Sequence, residues 1–289
     1  MTTREQWIAG ARPKTLPAAI APVLVGTSFA GYNSSFLHTL LALIVALALQ
    51  VGVNYANDYS DGIKGTDADR VGPMRLVGSG AASADAVKKA AFISFFIAAL
   101  AGLILASRTS WLLIILGAIC IIAAWTYTGG PKPYGYQAMG EVSVFIFFGV
   151  VATVVTYYVQ TESVSREVLL ASFAMGALAC AILVLNNLRD FPKDDVAGKK
   201  TLAVVMGDKS TRDLYKWLMF FALVMSVALS FFSFFYLLAL VSLPLISKSV
   251  RAVSAGASGP ALIDLLVKTG RIQIIYALAL SFAAWLVAR

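Results

Sequence analysis

Nine stretches of this chain stay apolar for roughly the 20 residues that a helix needs to cross a hydrocarbon core about 30 Å thick. They lie near 15–32, 36–57, 88–106, 110–128, 139–160, 166–187, 213–231, 232–247 and 271–288. Backbone inside a bilayer must satisfy its hydrogen bonds within the segment, so the expected fold is all-α, with nine transmembrane helices in a single domain over 1–289. Composition agrees: 59% of residues are hydrophobic and 13% charged, against roughly 45–50% and about 25% in soluble domains. The boundary between the seventh and eighth helices is the weakest, because 217–247 is nearly continuous. Only Ser230, Ser233 and the aromatic run at 231–236 suggest a break. The first segment is interrupted by Pro17 and Pro22, which a helix start or a kink accommodates. Arg4, Glu5, Arg12 and Lys14 stand where a cleavable leader would be apolar, so this segment is expected to remain a membrane helix.

Cations set the orientation. With the N-terminus in the cytoplasm, the cytoplasmic loops take all but three of the 23 Lys and Arg residues, leaving Arg108, Arg166 and Arg289 outside. One helix more or fewer would scramble that division. The formal net charge of +8 therefore belongs to one membrane face, and its dispersal among loops argues against a nucleic-acid partner. Cys120 and Cys180 lie inside apolar runs without metal or disulfide spacing and read as packing residues. His38, the single histidine, has no Ser or Cys nucleophile in company and reads as structural.

The acids carry more information. Asn57-Asp58-x-x-Asp61-x-x-Lys64 closes the second apolar run, and Asn186-Asn187-x-x-Asp190-x-x-Lys193 closes the sixth. The match across sequence halves predicts a pseudo-repeat whose two clusters face each other at the cytoplasmic surface. Asn54, Asp58 and Asp61 fall at i, i+4 and i+7, and Asn186, Asp190 and Asp194 repeat the spacing. Pro192 is expected to kink or end its helix, leaving Asp194 on the following turn. Solvated loop charge accounts well for Asp69, Asp195, Asp208 and Asp213, but not for two matched clusters.

Carboxylates converging in one pocket repel unless a cation joins them. Hard oxygen ligands select Mg²⁺, with Mn²⁺ as a substitute, and Mg²⁺ is characteristically shared with substrate phosphates. Lys64, Arg70, Arg75, Lys132, Arg189, Lys193 and Lys199 then have a partner in a diphosphate. A metal site at the mouth of a helical bundle suits a diphosphate with an apolar tail that enters the bundle. A cation-coupled transporter is the reading from another class, but transporters bind near the bilayer midplane on broken helices, whereas each cluster here follows a full apolar run.

These residues resemble the two aspartate-rich motifs of the UbiA superfamily of intramembrane prenyltransferases. The resemblance extends through Arg12-Pro13-Lys14-Thr15-Leu16-Pro17, Asn57 to Asp67, Gly72-Pro73-Met74-Arg75, Tyr127 to Tyr134, and Asp190-x-x-x-Asp194-x-x-x-Gly198 onward to Val204. In combination it is similar to the 1,4-dihydroxy-2-naphthoate branch of menaquinone synthesis. It implies Mg²⁺-dependent transfer of a polyprenyl group from its diphosphate to 1,4-dihydroxy-2-naphthoate, with loss of CO₂ and diphosphate, giving demethylmenaquinone. A 4-hydroxybenzoate or other aromatic acceptor would use the same diphosphate machinery. The resemblance implies metal ligands at Asp58, Asp61, Asp67, Asp190 and Asp194. Asn57, Lys64, Arg70, Arg75, Asn187, Arg189 and Lys193 would bind substrate, and Arg12, with Lys14, would hold the acceptor carboxylate. Asp61, Asp190, Lys132 and Tyr127 would be catalytic, and the aromatics Tyr127, Tyr134 and Tyr136 could flank a cation.

Two departures stand out. Where the broad pattern has a further Asp four residues after Asp61, this chain has Gly65, and Asp67 is expected to take over. The family's Tyr-x-x-x-Lys is here one residue longer, Tyr127-x-x-x-x-Lys132. The enzyme is expected in the cell membrane, with its N-terminus and site facing the cytoplasm.

Overall fold

In the computed structural model, which describes residues 2–65 and 74–289, the described residues are helical and contain no strand beyond one isolated bridge between Gln137 and Lys200. The helices are α1 (Arg4–Ala11), α2 (Pro17–Phe29), α3 (Phe36–Ile63), α4 (Ala84–Arg108), α5 (Leu112–Thr126) and α6 (Gly140–Val144). They continue as α7 (Ala152–Thr161), α8 (Arg166–Val196), α9 (Leu202–Leu229), α10 (Leu243–Ser254) and α11 (Pro260–Ala288). Among the described residues, six helical segments are long and apolar enough to span a membrane, α6 through α7 counting as one and the nine-residue 3-10 helix Phe234–Ser242 with α10 as another. α2 and α5 are shorter apolar helices. The 28 residues of α9 begin with a charged half containing Lys209, Arg212, Asp213 and Lys216.

Helix starts follow the sequence. Thr3 and Gln6 form a capping box on α1, and Ser35, Ser83, Ser165 and Thr201 cap α3, α4, α8 and α9 with their side-chain oxygens. The uncertain break between the seventh and eighth segments falls where the serines suggested: α9 ends at Leu229, and Ser233 caps the next helical turns.

α8 is the hub. It packs along α9, against α11 and against the 145–151 segment, and nearly every residue from Ala171 to Leu188 is buried. Its Ala, Gly, Ser and Cys residues allow backbones to approach closely, the usual way membrane helices associate. At the tightest point a Cβ on Gly149 would sit 2.3 Å from the Gly176 Cα. Gly149 belongs to a seven-residue π-helical stretch, Phe145–Val151, that joins α6 to α7.

One expectation about helix ends holds and one changes. α3 and α8 run through both acidic motifs, so Asn57, Asp58 and Asp61 are helical residues, as are Asp190 and Asp194. Pro192 does not end α8. Its missing N–H falls one turn before the C-terminus, and the turn beyond it is closed by the Ala197 N–H on the Lys193 carbonyl and by Gly198 in the left-handed region (φ 70°).

Candidate active site

A cavity of about 710 Å³ opens among α2, α3, α5, the 143–156 segment and α8. Its deep wall is apolar, with Val45, Leu49, Leu113, Leu116, Phe147, Phe148, Val155 and Ile182. Its mouth is polar, with Arg12, Lys14, Asn54, Asn57, Asp61, Arg75, Thr128, Asn186, Asn187, Arg189 and Lys199. The division suits a molecule with a charged head and a long apolar tail.

On α3 the cavity face is Gln50, Asn54, Asn57 and Asp61, at i, i+4, i+7 and i+11. Asp61 is 2% exposed. Its carboxylate lies 3.6 Å from the Arg75 guanidinium and 3.7 Å from the Lys199 ammonium, and it accepts a short hydrogen bond from the Tyr136 hydroxyl. Lys64 and Lys199 both stand over the Tyr136 ring, at 4.7 and 5.0 Å. Lys64 also donates to the Thr128 carbonyl at 2.8 Å. Burial pulls the Lys64 ammonium below its ordinary pKa, and the Lys199 charge adds to this, against the opposing pull of Asp61. The Thr128 hydroxyl meets the Asn57 Oδ1 at 2.7 Å.

Asp58 lies one residue off that face and does not line the cavity. Its two oxygens accept from the backbone N–H groups of Leu76 and Val77, at 2.8 and 3.0 Å. It anchors the chain where it returns to α3 and so sets Arg75 beside Asp61.

The second motif is arranged differently. Arg189 grips the neighbouring Asp190 with both ends of its guanidinium, at 2.8 Å each, and also donates to Asn186. Asp194 faces the Lys199 ammonium at 4.0 Å, so one lysine stands between carboxylates of both motifs. Near the amino-terminal end of the cavity wall, Arg12 adopts a left-handed backbone (φ 54°), turns the chain from α1 into α2, and reaches the Asn54 carbonyl at 3.5 Å. Asn54 in turn donates to the Ala11 carbonyl and Thr15, and Gln50 also donates to Thr15.

Not every sequence candidate converges here. Lys132 and Lys193 are exposed and outside the cavity lining. Lys132 lies in the loop where the tyrosine-to-lysine spacing is one residue long, and Lys199 stands at the mouth instead. Tyr127 does line the cavity. Asp67 and Arg70 lie outside the described residues. Sequence reasoning gave no weight to Thr128 or Glu141, and named Tyr136 only as an aromatic that could flank a cation. Glu141 has a single signal, a carboxylate inside an apolar run; its side chain accepts from the Asn187 amide at 2.9 Å.

Among the described residues, no three His, Cys, Asp or Glu side chains gather closely enough to form a metal cluster. The donor set is nevertheless suited to a hard cation. The Lys199 ammonium between Asp61 and Asp194 marks where opposed carboxylates attract positive charge, and their oxygens are the ligands Mg²⁺ prefers.

Comparison with known proteins follows the same lines. Residues 19–262 match the model of the UbiA prenyltransferase family. The chain is 50% identical over 285 residues to a 1,4-dihydroxy-2-naphthoate octaprenyltransferase of Mycobacterium tuberculosis, covering 98% of both chains. It is 39% identical to the protein of that name in Escherichia coli, covering 86% of this chain and 85% of the other. Among solved structures, an apo UbiA homolog from Aeropyrum pernix superposes with a TM-score of 0.74 at 15% identity, covering 93% of this chain and 97% of the other. A UbiA homolog from Archaeoglobus fulgidus bound to GPP and Mg²⁺ gives 0.69 at 16% identity, covering 96% and 99%.

Proposed function

The chain belongs to the UbiA prenyltransferase family, and from that premise we propose that it transfers a polyprenyl group from prenyl diphosphate to 1,4-dihydroxy-2-naphthoate. The observation that carries the reading is the cavity itself, an apolar chamber whose mouth carries Asp61 and Lys199, with Asp194 on the far side of that lysine. Close identity to relatives bearing the dihydroxynaphthoate name favours this acceptor over 4-hydroxybenzoate. Family membership removes the transporter alternative.

Asp61, Asp190 and Asp194 would hold Mg²⁺, which supplies charge neutralisation for the diphosphate. Lys64, Arg75, Lys199 and, once released from Asp190, Arg189 are the protein's own cations for the same oxygens. Their charge favours cleavage of the allylic C–O bond, whose electron pair departs on diphosphate. The allylic cation then meets the electron-rich ring. The new C–C bond forms as the carboxylate leaves as CO₂, its bonding pair returning to the ring. Tyr127 at the cavity wall offers a π-face to the cation, and the apolar lining keeps water from it. Arg12 and Lys14 would hold the acceptor carboxylate. No protein nucleophile is required. The reaction is placed at the cytoplasmic face of the cell membrane.

Incubating the purified protein with Mg²⁺, geranylgeranyl diphosphate and a panel of aromatic acids, followed by mass spectrometry, tests the reading. A prenylated, decarboxylated dihydroxynaphthalene is expected. Prenylation of 4-hydroxybenzoate alone would reassign the acceptor, and no prenyl transfer to any acceptor would overturn the proposal.

A further inference from the structure

The two motif asparagines are matched in sequence but held by unlike partners. Asn57 meets the Thr128 hydroxyl, a group that both donates and accepts. Asn187 meets the Glu141 carboxyl: its Nδ2 donates to Glu141 Oε1 at 2.9 Å. A carboxyl oxygen that carries no hydrogen accepts only, so it takes the NH₂ side of the amide. Asn187 lines the cavity, and with its nitrogen committed to Glu141 the side that remains for a ligand is the carbonyl oxygen.

Glu141 is 7% exposed. Several contacts fix its place at the start of α6. Its backbone carbonyl accepts from the Cys180 thiol of α8 at 3.0 Å, and the preceding Gly140 abuts the Tyr127 hydroxyl so closely that a Cβ there would lie 3.0 Å from it. Ala138 takes a left-handed backbone (φ 57°) and donates its N–H to the Lys200 carbonyl at 2.8 Å, which ties the incoming loop to the segment after the second motif. The remaining carboxyl oxygen, Oε2, is buried and makes no hydrogen bond. Packing alone does not ask for a carboxyl here, since burying one is unfavourable unless its oxygens are satisfied.

We propose that Glu141 is a positioning residue that turns the Asn187 carbonyl oxygen into the cavity, where it accepts a hydrogen bond from a ring hydroxyl of the aromatic acceptor. This inference rests on the prenyl-transfer reading above. Asn187 sits one turn deeper than Asp190, about 4.5 Å along the helix axis, beside Leu183 and Tyr127 in the lining. That depth separates it from the diphosphate oxygens, which carry no hydrogen to offer a carbonyl. A ring hydroxyl that donates to Asn187 releases electron density into the ring as the allylic cation is captured, so the interaction strengthens in the transition state. On the opposite wall, Asn57 gives its oxygen to Thr128 and leaves its NH₂ side for phosphate oxygens. One asparagine serves as donor and the other as acceptor.

The test uses the full-length purified protein with Mg²⁺, geranylgeranyl diphosphate and 1,4-dihydroxy-2-naphthoate. Glu141→Gln offers either an oxygen or an NH₂ to Asn187 and so relaxes the polarity. Asn187→Asp sets two carboxyls against each other. Each single variant is expected to lower kcat about tenfold or more, with the KM for prenyl diphosphate within twofold of wild type. The swapped pair Glu141→Gln with Asn187→Asp restores one donor facing one acceptor and should recover kcat to within about threefold. Wild-type kcat in Glu141→Gln, or a swapped pair no better than its worse single variant, overturns the proposal. So does a fall in thermal stability of the single variants with kcat per folded molecule unchanged, which would assign Glu141 to the fold alone. A wild-type protein that prenylates no hydroxyaromatic acceptor would instead overturn the underlying reading.

Discussion

α3 and α8 carry matched motifs yet do unlike work. In its most apolar stretch α3 is only 22% buried, because one side walls the cavity, whereas α8 is 78% buried and holds the bundle together. The partners of the acids follow suit. Asp61 on α3 draws Arg75, Tyr136 and Lys199 from three separate parts of the chain. Asp190 on α8 is gripped by its own neighbour, Arg189. Asp61 is held by groups brought from distant parts of the chain, whereas Asp190 has a partner in the residue beside it, on a rigid support. A sequence repeat can therefore keep the acids without keeping how they are held.

The sharpest way to break the comparison is to neutralise each acid. Asp61→Asn and Asp190→Asn should each reduce kcat about a hundred- to a thousandfold. Asp61→Asn should in addition leave Lys199 and Arg75 without their shared counter-charge, so raised Mg²⁺ should rescue it less than it rescues Asp190→Asn. Steady-state kinetics across a Mg²⁺ titration reads both. Equal rescue would mean that the two motifs are held alike.

Lys199→Met removes the cation that stands between Asp61 and Asp194. Activity should fall about tenfold or more, with the KM for prenyl diphosphate rising, since a charge-assisted contact to phosphate oxygens is lost. An unchanged KM would place Lys199 outside the diphosphate site.

Packing should differ in the same sense. Gly176→Val drives a branched side chain into the Phe145 ring and backbone, where even a Cβ would find atoms at 2.9 to 3.1 Å, and should destabilise the protein by about 1–3 kcal/mol. Gly117→Val on the cavity side of α5 meets nothing within 4 Å and should leave thermal stability close to wild type. Melting curves in detergent compare the two directly.

The smallest effect concerns pH. On the proposed reading Lys64 would grip diphosphate only while protonated, and burial lowers its pKa, so the KM for prenyl diphosphate should rise as alkaline pH passes through that lowered value. Lys64→Arg keeps the charge to higher pH and should move the alkaline limb upward, with little change at neutrality. An alkaline limb identical in both proteins would remove Lys64 from the binding set.

Much of this was legible in the sequence. Apolar runs located the helical segments, and the i, i+4, i+7 spacing placed Asn54 and Asp61 on one face, because helical periodicity is a local property; the middle member of that stripe, Asp58, is off the cavity, and Asn57 lines it instead. The role of Asp58 was not legible: it shares the stripe, but its partners are the amides of Leu76 and Val77, reached only when the chain folds back. Tyr136 and Lys199 enter the site through the bridge between Gln137 and Lys200, a tertiary contact without a local signature. Lys132 was misplaced because a motif with one extra residue directs its lysine elsewhere. Glu141 was hidden by its surroundings, since an isolated acid in an apolar run has no spacing partner until α6 docks on α8.

The central claim is that both motifs serve one diphosphate. A double-mutant cycle on binding tests it most directly, using Asp61→Asn, Asp194→Asn and their combination, with calorimetric titration of a non-ionisable thiolodiphosphate analogue of geranylgeranyl diphosphate in Mg²⁺. If the two acids share one site, each single variant weakens binding strongly and the double variant is scarcely weaker than either, because the shared interaction is already lost. Additive losses, or wild-type affinity retained in excess EDTA, would contradict the account.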